Sequence, residues 1–142
     1  MKGGGATRVV LAALAVGLGS VPAVALAPGS GLQASAAIEA GEWLVRERGA
    51  RSGGRKLCLR DVAPLIQMEH PGGRCSRFVI DDRAHHATVH YTCPGAGHGR
   101  TSITVDTTHA MTVETQGIAG GLPFQEEYLA RRTGSCKAGQ RR

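Results

Sequence analysis

Four cysteines in a chain with almost no aromatic residues set the terms of this fold. Cys58, Cys75, Cys93 and Cys136 stand beside one Trp, two Tyr and two Phe in 142 residues, of which 21 are Gly. Such a chain has little aromatic surface to bury and much backbone freedom to lose on folding, so covalent staples are expected to compensate. An even cysteine set behind an export leader reads as two disulfides. Four cysteines allow three pairings. We expect Cys58–Cys75 and Cys93–Cys136, closing a short and a long loop worth about 3 and about 4 kcal/mol in the chain-entropy picture. The spacings of 17, 18 and 43 contain no C-x-x-C knuckle, which argues against a zinc site.

The leader itself is legible. Lys2 and Arg8 precede a charge-free apolar run from Val9 to Ala27, and small residues follow, the plan of a secretory signal. Cleavage is expected after Ala25, or as late as residue 36 after Ala34-Ser35-Ala36; Pro28 handicaps a cut after Ala27. An uncleaved anchor needs about 20 strongly apolar residues, whereas Ala and Gly dominate this run. No stable membrane span is therefore expected after signal cleavage, and no cysteine stands near enough for lipoprotein processing. The chain divides into a signal peptide at 1–25, a spacer at 26–40, an antiparallel β domain at 41–136 and a basic tail at 137–142.

The formal charge of +6 suggests nucleic acid only at first sight. Without Lys2 and Arg8 the balance is 15 basic to 11 acidic residues. Without Lys137, Arg141 and Arg142 as well, it is 12 to 11. Arg46, Arg48, Arg51, Arg55, Lys56 and Arg60 cluster, but Glu42 and Glu47 are interleaved and glycines surround them, so they read as a solvated loop rather than a phosphate-tracking patch. No nucleic-acid partner is expected.

Along the body, period-two alternation dominates. Trp43 and Val45 share a face in a first strand over 42–48. Asp61-Val62-Ala63-Pro64 reads as a capped helix start, with Val62, Leu65 and Ile66 as the apolar stripe of one short helix ending before Pro71. Segment 75–80 is followed by an Asp81-Asp82-Arg83 turn. Segment 86–93 places Ala87, Val89, Tyr91 and Cys93 on one face and His86, Thr88, His90 and Thr92 on the other. Further strands are expected at 100–106, 110–116 and 124–132, with loops at 94–99 and 117–123. Short strands between Gly/Pro turns predict an all-β fold with one short helix, a curved antiparallel meander that is open or partly closed into a barrel, with one wet face.

Sites are harder to find. His86 and His90 are the only metal candidates on one strand face, but four residues of strand separate them by about 13 Å. They cannot share an ion bound at about 2.0–2.1 Å; only a neighbouring strand could complete a site, with His98 or His109 as the donors. Asp81 and Asp82 with His85 and His86 suggest half a triad, yet no G-x-S-x-G elbow supplies a nucleophile. Glu126 and Glu127 point to opposite faces of a strand. The glycines at 95–99 and 117–121 lack the Lys of a phosphate loop. No catalytic residue, metal or cofactor is expected.

Gly41 and Trp43, the ordered Cys58, Cys75 and Cys93, and a terminal Arg131, Gly134, Cys136 together resemble domain-of-unknown-function family 3617, small exported bacterial proteins with two cysteine pairs. The likeness spans about residues 40–136. It implies a periplasmic location in a Gram-negative bacterium and brings no catalytic residues, because that family has no assigned activity. Gly41, Trp43, Arg131 and Gly134 are expected to be structural. The function expected is that of a non-enzymatic envelope module binding a protein or small ligand on its concave sheet face or loop rims. The rivals are an inhibitor of an envelope hydrolase, acting through loop 94–99 or 117–123, and a periplasmic metal-binding protein acting through surface histidines.

Overall fold

The computed structural model describes residues 31–139; the expected signal peptide and residues 140–142 of the tail lie outside them. Seven strands follow in order: β1 Gly41–Glu47, β2 Arg55–Leu59, β3 Ser76–Arg83, β4 His86–Cys93, β5 Gly97–Thr107, β6 Ala110–Ala119 and β7 Leu122–Gly134. All neighbours are antiparallel, in the open order β2-β1-β7-β6-β5-β4-β3. The fold is thus the expected all-β antiparallel sheet, built from a β1–β2 hairpin and a β3-to-β7 meander. Pairing of β7 with β1 joins the two parts.

Alternation decides which face is dry. Ala87, Val89 and Tyr91 of β4, Ile103 and Val105 of β5, and Met111 and Val113 of β6 are buried with Trp43 and Val45. The residues between them face outward, as the period of two requires. What covers the dry face follows from topology. β2 and β3 lie at opposite edges, so residues 60–75 must carry the chain across the sheet. They bring Val62, Leu65, Ile66 and Met68 into the same core cluster, each burial contributing about 1.5–3 kcal/mol.

This crossing segment is also held by polar contacts. Thr101 Oγ1 donates to the Ile66 carbonyl at 2.6 Å and lies 2.8 Å from Thr115 Oγ1. Buried His70 stands 3.1 Å from the Ile118 carbonyl through Nε2 and 3.1 Å from the Tyr91 hydroxyl through Nδ1. A carbonyl only accepts, so Nε2 carries the ring proton and donates it to Ile118, and in the neutral ring Nδ1 accepts a hydrogen bond from the Tyr91 hydroxyl. Among the described residues no buried side-chain nitrogen or oxygen lacks a partner.

Several expectations need correction. The disulfides are Cys58–Cys136 and Cys75–Cys93, with Cα separations of 5.5 and 4.1 Å, not Cys58–Cys75 and Cys93–Cys136. Cys58 is on edge strand β2 and Cys75 enters the opposite edge strand, so the crossover separates the cysteines that sequence places close together. The short helix is a single 3₁₀ turn, Ala63–Leu65. Asp61 does accept the Ala63 N–H at 2.8 Å, and Val62, Leu65 and Ile66 are buried as the stripe predicts, but the segment is stretched to span the sheet.

The spacer at 26–40 is packed from residue 32 onward. A 3₁₀ turn, Gln33–Ala37, puts Ala34 in the core beside Leu32. Cleavage after residue 36 would remove both, whereas cleavage after Ala25 leaves the core intact. Finally, the basic cluster contains β2, Asp81-Asp82-Arg83 ends strand β3 with the turn falling at 84–85, and the glycine-rich loops 94–99 and 117–123 are strand at 97–99, 117–119 and 122–123.

The glycines have a steric reason. Gly99 pairs with Tyr91, and a Cβ there would lie 2.5 Å from the Tyr91 hydroxyl. At Gly117 a Cβ would lie 2.1 Å from the His98 carbonyl. Gly99 leaves room for the Tyr91 phenol, and Gly117 lets the strands approach more closely than a side chain allows.

Candidate functional site

The inner face is closed by the chain itself, which leaves the outer face, the strand edges and the turns. Loops 94–99 and 117–123, expected as binding rims, narrow to tight turns at 94–96 and 120–121 that touch each other: Gly120 N–H donates to the Ala96 carbonyl at 3.1 Å. Edge strand β3 exposes Phe78, Val79 and Ile80. Its pairing with β4 is interrupted between Val79 and Asp81, and Gln33 donates from its backbone and side chain to Asp82 at 2.8 and 2.9 Å. A bulge and a cap of this kind blunt an edge against further strand addition.

On the outer face, cross-strand register assembles a polar surface that alternation alone does not reveal. Phe78 of β3 is opposite His90 of β4, His90 is opposite Arg100 of β5, Arg100 opposite Gln116 of β6, and Gln116 opposite Gln125 of β7. Two adjoining hollows lie along this row. One, of about 400 Å³, is lined by His90, His98, Arg100, Gln116, Phe124 and Gln125 among others. The other, of about 470 Å³, shares Arg100, Gln116 and Gln125 and adds Ser102, Glu114 and Glu127.

Arg100 is exposed, and its side chain makes no hydrogen bond or ion pair among the described residues. Most other basic groups near a carboxylate are committed. Arg48 pairs with Glu127, which raises the guanidinium further; Lys56 pairs with Glu42 at 3.1 Å; Arg83 pairs with Asp81 at 3.1 Å.

The candidates read from the sequence separate in space. His86 contacts Thr104 Oγ1 through Nδ1 and Thr88 Oγ1 through Nε2, both at 3.1 Å. Asp81 is 3.8 Å from the same Nε2, too far to orient the ring, so no proton relay forms. His90 instead comes close to His98, with ring centroids 6.0 Å apart. His109 is tied to Glu39, which Arg132 also holds at 2.8 Å; the His109 contact, aided by Arg132, keeps the Glu39 carboxyl below its ordinary value. Gly41 and Trp43 are buried; a Cβ on Gly41 would sit 2.3 Å from the Gly134 carbonyl. Arg131 is exposed on the outer face opposite Leu44.

A second polar cluster lies at the rim of the inner face. Tyr128 donates to Glu69 Oε1 at 2.7 Å, and the Arg55 guanidinium lies 5.8 Å from its ring centre. Burial, reinforced by the Glu69 carboxylate, pushes the Tyr128 phenol well above its ordinary value of 10.0; burial also raises Tyr91. A phenol raised in the folded state stabilises fully below the unfolded value and loses that contribution as pH climbs above it. The folded state should therefore weaken above about pH 10. Tyr128→Phe should cost about 1 kcal/mol at neutral pH through the lost hydrogen bond, yet flatten the alkaline decline. Urea unfolding at stepped alkaline pH checks both; an unchanged slope would remove Tyr128 from the explanation.

The class defined by these observations is a disulfide-stapled, seven-stranded antiparallel β domain. Its two disulfides suit an oxidising, extracytoplasmic compartment. Among the described residues no helix is long and apolar enough to cross a membrane. Comparison with known proteins finds no matching family model, no matching curated protein and no matching solved structure.

Proposed function

We propose that this is a non-enzymatic, exported binding domain of the bacterial envelope, periplasmic in location, whose ligand lies on the outer sheet face and presents a carboxylate to Arg100. One observation carries the reading. Arg100 is an exposed guanidinium without a side-chain partner among the described residues, at the junction of two hollows whose walls combine amide, hydroxyl and imidazole groups with the carboxylates of Glu114, Glu126 and Glu127 at the far end of one of them. A planar fork of donors matches a carboxylate bidentately, and Gln116 and Gln125 can each both donate and accept. Sites that bind polar ligands need a few such convergent groups on a rigid support, and a central sheet position supplies one.

The periplasmic assignment rests on the signal-like leader together with the disulfides. The likeness to family 3617 is consistent with it: Gly41, Trp43 and the cysteines that carry the likeness serve the scaffold here and supply no chemistry.

A panel of small carboxylates, spanning uronic acids and short peptides with free C-termini, can be titrated into ¹⁵N-labelled protein. The expected result is saturable shifts centred on residues 100, 116 and 125 for at least one class, abolished by Arg100→Ala with the remaining spectrum intact. Shifts confined to other surfaces, or a response unaffected by Arg100→Ala, would remove the proposal.

A further inference from the structure

We propose that His90 and His98 form a bidentate surface site for a borderline divalent cation, Cu²⁺ above all. The two residues belong to adjacent strands: His90 is opposite Arg100, and His98 is opposite Thr92. They are therefore diagonal neighbours on the outer face. Their ring centroids are 6.0 Å apart and the planes are inclined by 39°.

That spacing suits chelation. With metal–nitrogen bonds of about 2.0–2.1 Å, each ring centre stands roughly 3.2 Å from the ion, so two imidazoles sharing a cation have centres roughly 4.5 Å apart at a right-angled approach and roughly 6.4 Å apart when opposed. Small side-chain rotations bring this pair onto one ion without moving the backbone. The remaining positions would be filled by water or an incoming anionic group.

The other described histidines are occupied or placed elsewhere. His70 is buried with both nitrogens engaged, His86 uses both on threonines, and His109 is held by Glu39. His85 lies in the β3–β4 turn. The His98 imidazole makes no hydrogen bond among the described residues, and the one contact of His90 Nε2, to Thr92 Oγ1, is long at 3.5 Å.

The choice of ion follows from the ligand count and the surroundings. No group of three or more His, Cys, Asp or Glu side chains converges among the described residues, so a metal that requires a full protein cage is poorly served. Arg100 beside the pair opposes any cation. Two imidazoles against an adjacent positive charge favour the divalent ion with the greatest intrinsic affinity for nitrogen, which is Cu²⁺ ahead of Ni²⁺ and Zn²⁺. The site stands on the histidine geometry alone, whether or not Arg100 receives a carboxylate.

Titration of the mature protein with Cu²⁺ alone tests this, followed by calorimetry, electron paramagnetic resonance and paramagnetic broadening of amide signals. The expected result is one saturable equivalent with nitrogen ligation, and broadening centred on residues 90, 92, 98 and 100. His90→Ala and His98→Ala should each weaken binding at least about tenfold, since even the loss of a supporting partner weakens metal sites on that scale. His86→Ala and His109→Ala should leave it unchanged. Both test side chains lie on the outer face, and an unaltered amide spectrum in metal-free buffer confirms that each variant folds. Binding that survives either His90→Ala or His98→Ala at full strength, that follows His86 or His109, or that never saturates would overturn the proposal.

Discussion

Replacing Cys58 and Cys136 together by alanine should lower the melting temperature by about 18–36 °C. Their sequence separation is 78, and opening a loop of that length costs about 4.5 kcal/mol in the chain-entropy picture. A domain of this size shifts by about 4–8 °C per kcal/mol. The companion bridge, Cys75–Cys93, spans only 18 residues and should cost about 3 kcal/mol. Calorimetry of both double variants, with and without reductant, orders the two effects. A melting curve indifferent to reductant would contradict the view that sulfur bridges compensate for a thin core. Mass spectrometry of non-reduced peptides should recover 58–136 and 75–93 links and no 58–75 link.

The second large effect belongs to Trp43. Its side chain is fully buried, its indole N–H donates to the Glu39 carbonyl at 3.2 Å, and its strand neighbours are Leu57 of β2 and Arg132 of β7. Trp43→Ala should cost about 3–5 kcal/mol, comparable to the lower end of the stability of a whole small domain. Trp43→Phe keeps most of the apolar volume and should cost roughly half as much. Circular dichroism during urea unfolding measures both, since the sole tryptophan is the residue removed. Equal midpoints for the alanine variant and the parent would mean that the β1 seam carries little of the stability.

Much of this architecture is legible in the residues. Alternation over 86–93 alone places Ala87, Val89, Tyr91 and Cys93 inside and the histidines outside, as the burial shows. It works because a one-sided antiparallel sheet imposes a strict period on each strand. It fails where side chains stop reporting. Gly97, Gly99 and Gly117 are strand residues chosen for close approach, yet glycine reads as loop, so β5 and β6 look shorter than they are.

β2 was hidden for the opposite reason. At the sheet edge its Arg55 and Lys56 face solvent, and their charge resembles a loop. The apolar Phe78, Val79 and Ile80 are exposed on the other edge, so apolar content there does not report burial.

The disulfide pairing was not legible because it depends on strand order, which no local pattern encodes. The same limit applies to the outer face. His90 and His98 lie eight residues apart in sequence, and only the β4–β5 register makes them neighbours. Arg100 lies just outside the glycine stretch and attracts no notice until Gln116 and Gln125 fall into line with it.

β7 comes last in sequence yet lies third from one edge, between β1 and β6. Its register with β1 joins Glu42 to Gly134, the amino end of the sheet to its carboxyl end. A chain made or threaded from its amino terminus therefore has no way to complete the sheet until its final stretch emerges. Contacts of such long range form slowly. A polypeptide that must stay unfolded while it passes through a membrane pore gains from this delay, because the seam between β1 and β7 cannot close before the last strand is available.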